Sequence, residues 1–156
     1  MKYFYKYETI IGPLYILESN GSIVSISNRD QGWEAIYKET SLIKEAFRQL
    51  SEYFSGERKF FDLPIQTKGT DFQEKVWDTL KQIPYGETRS YKDIATAIGN
   101  PKAVRAVGMA NNRNPIMIVI PCHRVIGANG QLIGYGGGLD VKEKLLTLEK
   151  IKYPSP

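Results

Sequence analysis

The hydrophobic pattern of this chain changes character between Pro64 and Gly69. Before that point, short segments rich in Tyr, Ile and Leu alternate with turn residues such as "SNGS" at 19–22, a pattern typical of a β-hairpin or β-meander. Beyond it, apolar residues recur at steps of three and four in several short segments, which is typical of amphipathic helices. The change predicts two domains, over residues 1–69 and 70–156.

A helix follows the meander in the first domain. In "SLIKEAFRQLSEYF", residues 41–54, the apolar side chains fall on one face, with Ser41 placed to cap the start and Gly56 just past the end. The next segment, "KFFDLPIQTKG" at 59–69, predicts a short strand and a linker. We therefore expect a small α/β domain whose role is support.

Three helical patterns open the second domain: "TDFQEKVWDTLKQI", "SYKDIATAIGN" and "KAVRAVGMANNRN". The last two flank the tight turn "GNP" and form a candidate helix-turn-helix, whose second helix would enter a DNA groove. That helix would span residues 101–111 and carry Lys102 and Arg105. Many helix pairs with a tight turn bind nothing, so this pattern alone leaves DNA binding open.

An apolar run and a last helical pattern complete the second domain. The run "PIMIVIP", residues 115–121, predicts a buried strand or extended segment. A glycine-rich turn region then leads to "LDVKEKLLTLEKI", residues 139–151. Its spacing predicts a helix that buries Val141, Leu145 and Leu148, with Leu146 as a further candidate.

The positive charge of the chain is concentrated in the second domain. Residues 1–70 hold nine basic and nine acidic side chains, whereas residues 71–156 hold twelve and eight, so the net charge of +4 lies there. Between Asp93 and Asp140 there is no acidic residue. The basic residues of that interval are Lys102, Arg105, Arg113 and Arg124. Such a field suits a polyanion, although a solvated basic face would look the same.

Composition excludes several other classes of protein. One cysteine cannot form an internal disulfide, and one cysteine with one histidine cannot supply the four ligands of a usual structural zinc site. No window approaches the length of apolar sequence that a membrane span needs. The start, "MKYFYKYETI", lacks the apolar core of a secretion signal. We expect a metal-free cytoplasmic protein.

The only cysteine and the only histidine are neighbours, Cys122 and His123, at the end of the apolar run. A lone cysteine is usually a small buried hydrophobe. Here Pro121 fixes the backbone before the thiol and Arg124 follows it, and nearby cationic groups favour the nucleophilic thiolate. A nucleophile usually has a base within reach that is oriented by a third group. The last helix offers two carboxylates for that task, Glu143 and Glu149.

The stretch "IPCHRVIG" resembles the active-site signature of the O6-alkylguanine-DNA alkyltransferases, which take an alkyl group from damaged guanine onto a cysteine. The likeness extends in register over residues 84–149, and the order N-P-x(4)-I-P-C-H-R-V-I is specific to this family. The first seventy residues resemble it only in length and in the order of strands and helix. The resemblance implies an α+β protein. Its small N-terminal α/β domain would be ribonuclease H-like, and its mostly helical C-terminal domain would be a winged-helix or helix-turn-helix domain.

The resemblance assigns chemical roles to five side chains. Cys122 would be the nucleophile and alkyl acceptor, and His123 would take its proton through a water. Glu149 would hold the imidazole, while Asn114 would brace the turn that carries the thiol. Tyr91 would place its hydroxyl near the base and help to protonate guanine as it leaves.

The resemblance also assigns binding roles. Arg105 would enter the duplex and fill the gap left by an extruded nucleotide, Lys142 would support the site, and the backbone of Cys122 and Val125 would meet the guanine edge. The implied DNA-contacting residues are Ser90, Lys102, Arg105, Ala106 and Arg124. The implied residues around the guanine and its alkyl group are Val125, Tyr135, Gly136, Gly137 and Lys142. Many family members carry Ser or Arg where this chain has Gly136.

These roles imply direct reversal of O6-alkylguanine in double-stranded DNA. The flipped base would give its alkyl group to Cys122 once and irreversibly, by a monomer that needs no cofactor. Two other classes stay open: a regulatory DNA-binding protein with an inert cysteine, and a cysteine hydrolase that turns over. Without the resemblance, Tyr91 is a core aromatic, Arg105 a solvated residue, and Glu149 a surface partner of Lys152. Activity on O4-alkylthymine stays open as well.

Overall fold

The computed structural model describes residues 1–132 and 134–151. These residues form two compact units. The first unit consists of Met1–Thr67 together with Pro115–Met117. The second contains the remaining described residues.

A four-stranded sheet and one helix form the first unit. Its strands are β1 (Lys2–Thr9), β2 (Gly12–Ser19), β3 (Ser22–Ser27) and β4 (Ile36–Tyr37). They lie in the order β3-β2-β1-β4, with the first three antiparallel and β4 parallel to β1. Asn20 and Gly21 connect β2 to β3 with φ of 53° and 79°. Positive φ at both central residues matches the twist of a tight hairpin, so the predicted meander is confirmed.

The helix of this unit, α1 (Ser41–Phe54), has the predicted bounds. It buries Ile43, Ala46 and Leu50, and its Phe47 ring stacks on Tyr7 of β1 with centroids 3.8 Å apart. The cap differs from the prediction, because the hydroxyl of Thr40 and not that of Ser41 accepts from the Ile43 N–H.

The strand predicted in 59–69 is wrong. In that segment only Ile65 pairs, in an isolated bridge with Ile23 of β3. The Ile23 N–H donates to the Pro64 carbonyl, and the Gln66 N–H donates to the Ile23 carbonyl. Proline has no N–H to continue such a ladder, so the pairing stays a single bridge.

Helices dominate the second unit. They are α2 (Asp71–Leu80), α3 (Tyr91–Ala97), α4 (Val104–Asn112) and α5 (Leu139–Leu148). Capping boxes at Thr70 and Ser90 start α2 and α3, because each side chain accepts from the residue three positions on. Two short parallel strands, β5 (Arg89–Ser90) and β6 (Val125–Ile126), pair beside a 3-10 turn formed by Cys122–Arg124.

Three details of the second half differ from the prediction. The second helix of the helix-turn-helix begins at Val104, so Lys102 lies in the turn before it. The run "PIMIVIP" is not one strand, because the chain turns at Ile118, whose φ is 73°. In α5 Leu146 is buried, as the spacing allowed, but the buried set also includes Lys142, and Leu148 is only half-buried.

Within residues 1–132 and 134–151, no helix combines the length and apolarity that a bilayer crossing requires.

Candidate active site

The backbone around Cys122 is fixed from both sides. The Cys122 N–H donates to the Ile120 carbonyl at 2.8 Å, and the Arg124 N–H donates to the Pro121 carbonyl at 3.0 Å, which closes the 3-10 turn. The Asn114 side chain donates to the Ile120 carbonyl at 2.8 Å. Asn114 therefore lies where the resemblance implied, bracing the turn that carries the thiol.

The thiol of Cys122 is buried, with 5% of the residue exposed. Burial raises its pKa, because an apolar environment disfavours the thiolate. The side chains of Asn114 and Tyr135 and the charge of Lys142 act in the opposite direction and lower it. The resting cysteine is thus a protonated thiol whose surroundings are already arranged to stabilise the anion.

His123, Glu149 and Arg124 form a buried cluster next to this turn. His123 Nε2 lies 2.6 Å from Glu149 Oε2, and the side chains of both residues are fully buried. Arg124 holds the same carboxylate with Nε to Oε1 at 2.8 Å and Nη2 to Oε2 at 3.1 Å. The Gly86 N–H adds a further hydrogen bond to Oε1 at 3.1 Å.

The cluster fixes the ionisation of its members. Burial would raise the pKa of Glu149, but the hydrogen bonds and charges of His123 and Arg124 outweigh it and lower that pKa to about 2. Burial lowers the pKa of His123 although the Glu149 carboxylate opposes this. The imidazole is therefore neutral at pH 7. With Nε2–H donating to the carboxylate, Nδ1 is the nitrogen that can accept a proton.

The cluster corrects two expectations about Arg124 and Glu149. Arg124 was expected to contact DNA, but it is 6% exposed and its Nη1 donates to the Ile83 carbonyl at 2.8 Å. A guanidinium committed to a buried carboxylate and a carbonyl cannot also hold a phosphate. Glu149 is 3% exposed, so it is not a surface residue, and Lys152 lies outside the described residues. The alternative carboxylate Glu143 is exposed.

Lys142 belongs to a second group of residues around the thiol, which we call the Tyr91 side of the site to distinguish it from the His123 side. Its Nζ donates to the Val125 carbonyl at 2.6 Å and to the Gly134 carbonyl at 3.2 Å. It also lies 5.8 Å from the centroid of the Tyr91 ring and 6.0 Å from that of Tyr135, within range of cation–π attraction. Burial lowers its pKa to about 8, while the Cys122 charge acts to raise it.

Tyr91 and Tyr135 flank this side of the site. Burial and the Cys122 charge raise the pKa of Tyr91 to about 12, so its hydroxyl keeps its proton at neutral pH. Tyr135 is 9% exposed, and its side chain acts to lower the pKa of Cys122. The structure thus brings these two tyrosines, Lys142 and Val125 together with Cys122.

The loop after Tyr135 approaches the end of α4 closely. A Cβ at Gly136 would lie 2.7 Å from the Asn112 carbonyl oxygen, which is closer than side-chain carbons normally approach backbone. Gly137 follows and is half-buried. With this backbone, Gly136 cannot be replaced by the Ser or Arg that many resembling proteins carry without moving the loop or the helix.

The outward face of the helix-turn-helix carries the remaining predicted residues. Lys102, Arg105 and Ala106 are exposed, and so is Arg113 just beyond α4. Ser90 is half-buried, and its hydroxyl accepts from the Asp93 N–H as the cap of α3. Of the four basic residues predicted to form a basic face, three are exposed and Arg124 is not.

Both halves of the chain match models of one protein family. Residues 71–151 match "6-O-methylguanine DNA methyltransferase, DNA binding domain", and residues 2–67 match "6-O-methylguanine DNA methyltransferase, ribonuclease-like domain". This chain belongs to the 6-O-methylguanine DNA methyltransferase family. The two matches confirm the expected fold class, a ribonuclease-like α/β domain followed by a mostly helical DNA-binding domain.

This chain and its relatives in the family align over nearly their whole lengths. The constitutive methylated-DNA–protein-cysteine methyltransferase of Bacillus subtilis is 50% identical over 98% of both chains. That of Methanosarcina acetivorans is 52% identical over 94% of this chain and 97% of its own. The crystal structure of Mycobacterium tuberculosis OGT in complex with DNA has a TM-score of 0.88 and 46% identity over 95% of this chain and 92% of that one.

Two contributions to the methyltransferase site were not predicted from the sequence. Asn111 donates through Nδ2 to the Cys122 carbonyl at 3.3 Å. Trp77 of α2 donates through Nε1 to the Ala110 carbonyl at 2.9 Å. Trp77 belongs to a recognisable apolar stripe. The sequence signal for Asn111 is its position four residues after Val107, which puts both residues on the inward face of α4.

Proposed function

We propose that this chain repairs O6-alkylguanine in DNA by transferring the alkyl group to Cys122, once and irreversibly. The observation that carries the proposal is the buried Cys122 thiol set in a braced turn between the His123–Glu149 pair and Lys142, in a member of the 6-O-methylguanine DNA methyltransferase family. A bond forms between Sγ and the alkyl carbon, and the bond from that carbon to guanine O6 breaks. The thioether is not hydrolysed, so each molecule acts once.

His123 receives the thiol proton in this reaction. The neutral imidazole donates through Nε2 to Glu149, which directs the basicity of the ring to Nδ1. A bridging water carries the proton from Sγ to that nitrogen. Glu149 then stabilises the imidazolium, because its pKa of about 2 keeps it ionised.

Tyr91 supplies a proton to the departing guanine. A guanine anion is a poor leaving group, and protonation as the bond to O6 breaks releases neutral guanine. With a pKa of about 12, Tyr91 is protonated at neutral pH, and the Lys142 ammonium over its ring stabilises the phenolate that forms. Tyr91 and Lys142 therefore act on the leaving group, opposite the proton acceptor.

The base and its alkyl group occupy the space in front of Cys122. A base inside a duplex cannot present O6 to a buried thiol, so it must be flipped out of the stack. The pocket residues are Val125, Tyr135, Gly136 and Gly137, with Lys142 holding the carbonyl of Val125 in place. Arg105 on the exposed face of α4 fills the gap that the nucleotide leaves.

Phosphates are bound by the exposed basic residues Lys102 and Arg113, with Ser90 and Ala106 as further DNA contacts. Such contacts bind DNA without regard to its sequence. The affinity that they provide falls as the salt concentration rises. The protein acts as a monomer on double-stranded DNA, without a cofactor. Because its substrate is DNA, we also propose an intracellular, cytoplasmic location.

Mass spectrometry tests the proposal. After incubation with duplex DNA containing O6-methylguanine, the protein should gain one CH2 on Cys122, in a yield that never exceeds one per molecule. Cys122→Ala should bind the DNA and gain nothing. An unchanged wild-type mass would favour an inert DNA-binding protein, whereas release of product beyond one equivalent would favour a hydrolase.

A further inference from the structure

Met109 is an apolar side chain on the outward face of α4. It is 61% exposed, whereas the inward residues of the same helix, Val107, Ala110 and Asn111, are buried. Single exposed apolar side chains are common on protein surfaces and by themselves indicate nothing. What Met109 indicates therefore depends on its neighbours along the helix.

Met109 lies in one line with Arg105 and Asn112 on that outward face. Residues three and four positions apart share a face of a helix, so Met109 stands between the other two. All three residues are exposed. At about 1.5 Å of rise per residue, the line from Arg105 to Asn112 is roughly 10 Å long.

The ends of this line meet different parts of the proposed repair reaction. Arg105 fills the gap that the extruded nucleotide leaves in the duplex. Asn112 adjoins the loop that walls the pocket, because a Cβ at Gly136 would lie 2.7 Å from the Asn112 carbonyl oxygen. The line thus runs from the gap in the duplex to the wall of the pocket, and Met109 lies beside the nucleotide that has moved from the first to the second.

The surroundings of Met109 suit a nucleic acid. No acidic residue occurs between Asp93 and Asp140, and the exposed cations Lys102 and Arg113 lie before and after the helix. Cations bind phosphates, whereas an apolar side chain gains free energy only by covering apolar surface. An extruded nucleotide keeps its base in the pocket. Its deoxyribose is then the apolar part that stays outside, where Met109 can cover it.

We infer that Met109 packs against the deoxyribose of the nucleotide whose base occupies the pocket. The inference rests on the proposed function, since it names a further substrate contact of the same site. The thioether side chain is unbranched and flexible, so it can follow the sugar as the nucleotide enters. Loss of this contact should slow transfer only from substrates that carry the sugar.

The first test compares two substrates with the same O6-benzyl group. One is a duplex oligonucleotide that contains O6-benzylguanine, and the other is the free base O6-benzylguanine, which has no sugar. Second-order rate constants are measured for wild-type protein and for Met109→Gln, which keeps the length of the side chain and makes it polar. We expect the variant to react about fivefold more slowly with the duplex and within about twofold of wild type with the free base.

Two outcomes of this test would overturn the inference. Equal slowing on both substrates would place the role of Met109 at the pocket or the fold, and an unchanged rate on the duplex would show that no contact was lost. Ile10→Gln makes a matched change at a 65% exposed residue of the first unit and should leave both rates unchanged. Failure of the wild-type protein to react with either substrate would refute the proposed function, and the inference with it.

A single-stranded oligonucleotide with the same lesion distinguishes a sugar contact from a wedge. It keeps the deoxyribose but has no base pairs to open. Met109→Gln should therefore slow transfer from the single strand about as much as from the duplex. A wild-type rate on the single strand would show that Met109 opens the duplex instead, as apolar side chains inserted between base steps do, and would overturn the sugar contact.

Met109→Leu and Met109→Ala give a further check at the same position. Leucine keeps most of the apolar surface, so its rate on the duplex should stay within about twofold of wild type. Alanine removes that surface and should react as slowly as the glutamine variant, although it is the better helix former. A leucine variant as slow as the alanine variant would contradict a contact that depends on apolar area.

Discussion

The two sides of Cys122 are built from opposite electrostatic arrangements. On the His123 side, the Glu149 carboxylate is matched by the Arg124 guanidinium and by hydrogen bonds, and its pKa falls to about 2. On the Tyr91 side, carbonyl oxygens and aromatic rings surround the Lys142 ammonium, but burial lowers its pKa to about 8. On the His123 side, the buried charges already compensate one another in the resting protein. On the Tyr91 side, the charge of Lys142 is better compensated once Cys122 is a thiolate.

This difference separates the stability of the site from its reactivity. A buried charge with its counter-charge in place is expensive to disrupt, because the remaining partner is left uncompensated. A buried cation without a paired anion contributes little to the stability of the resting fold. It contributes much to the formation of an anion beside it. We therefore expect substitutions on the His123 side to lower the free energy of unfolding. Substitutions on the Tyr91 side should instead slow alkyl transfer.

The largest effect is expected for Arg124→Met. It leaves the Glu149 carboxylate buried without its guanidinium, which should lower the free energy of unfolding by about 3–5 kcal/mol out of a typical total of about 5–15 kcal/mol. Denaturant unfolding measures it. Arg89→Met removes an exposed pair with Glu87 and should cost less than about 1 kcal/mol. Similar losses of unfolding free energy in the two variants would show that the buried pair on the His123 side matters no more to stability than an exposed pair.

Lys142→Met should show the reverse pattern. The variant lacks the cation that lowers the pKa of Cys122, so transfer at pH 7 should slow at least about tenfold, which is about 1.4 kcal/mol in activation free energy. Its free energy of unfolding should stay within about 1 kcal/mol of wild type, since an apolar replacement of a buried charge is often neutral. A loss of stability as large as that of Arg124→Met would contradict this account.

The pH dependence of Lys142 follows from its lowered pKa of about 8 against 10.5 in the unfolded chain. Below pH 8 the lysine is charged in both states, and burial of the charge destabilises the fold. Between pH 8 and 10.5 the unfolded chain binds more protons, so this lysine makes the fold more stable as pH rises. The wild-type rate advantage over Lys142→Met should shrink as pH passes 8, because the cation is lost. Parallel pH–rate curves would argue against the role of the ammonium.

Alkylation of Cys122 should destabilise the protein from the Tyr91 side. The Cys122 thiol is buried, so the carbon that alkylation adds overfills its position. Overpacking typically costs about 1–3 kcal/mol, which lowers Tm by several degrees. Thermal melts of free, methylated and benzylated protein should fall in that order, with faster proteolysis of the benzylated form. Identical melts would mean that the pocket accommodates the product without strain.

The smallest effect is expected at the glycine loop. Gly136→Ala places a Cβ against the Asn112 carbonyl and should cost about 1–2 kcal/mol, with slower transfer as Tyr135 shifts. Gly108→Ala is the matched control, because its Cβ would meet Tyr91 at 3.9 Å and helix propensity favours alanine by up to about 1 kcal/mol. Equal stabilities for the two variants would show that the loop moves freely.

The sequence determined the local elements and the chemistry of the nucleophile. The apolar spacing set the bounds of α1, and the capping residues Thr70 and Ser90 set the starts of α2 and α3, because these signals act within a few residues. The adjacent Cys122 and His123 defined the reactive centre, since no second cysteine or histidine exists. These features needed no knowledge of distant contacts.

Only the tertiary structure decided which charges are buried and what they meet. Arg124 lies in an interval of exposed basic residues, yet it pairs with Glu149 twenty-five positions away. Lys142 and Asn111 donate to carbonyls of the active-site turn across 17 and 11 positions. Residues 115–117 join the first unit although they follow α4. Burial depends on packing between segments that are distant in sequence, so residue type and spacing could not separate these side chains from solvated ones.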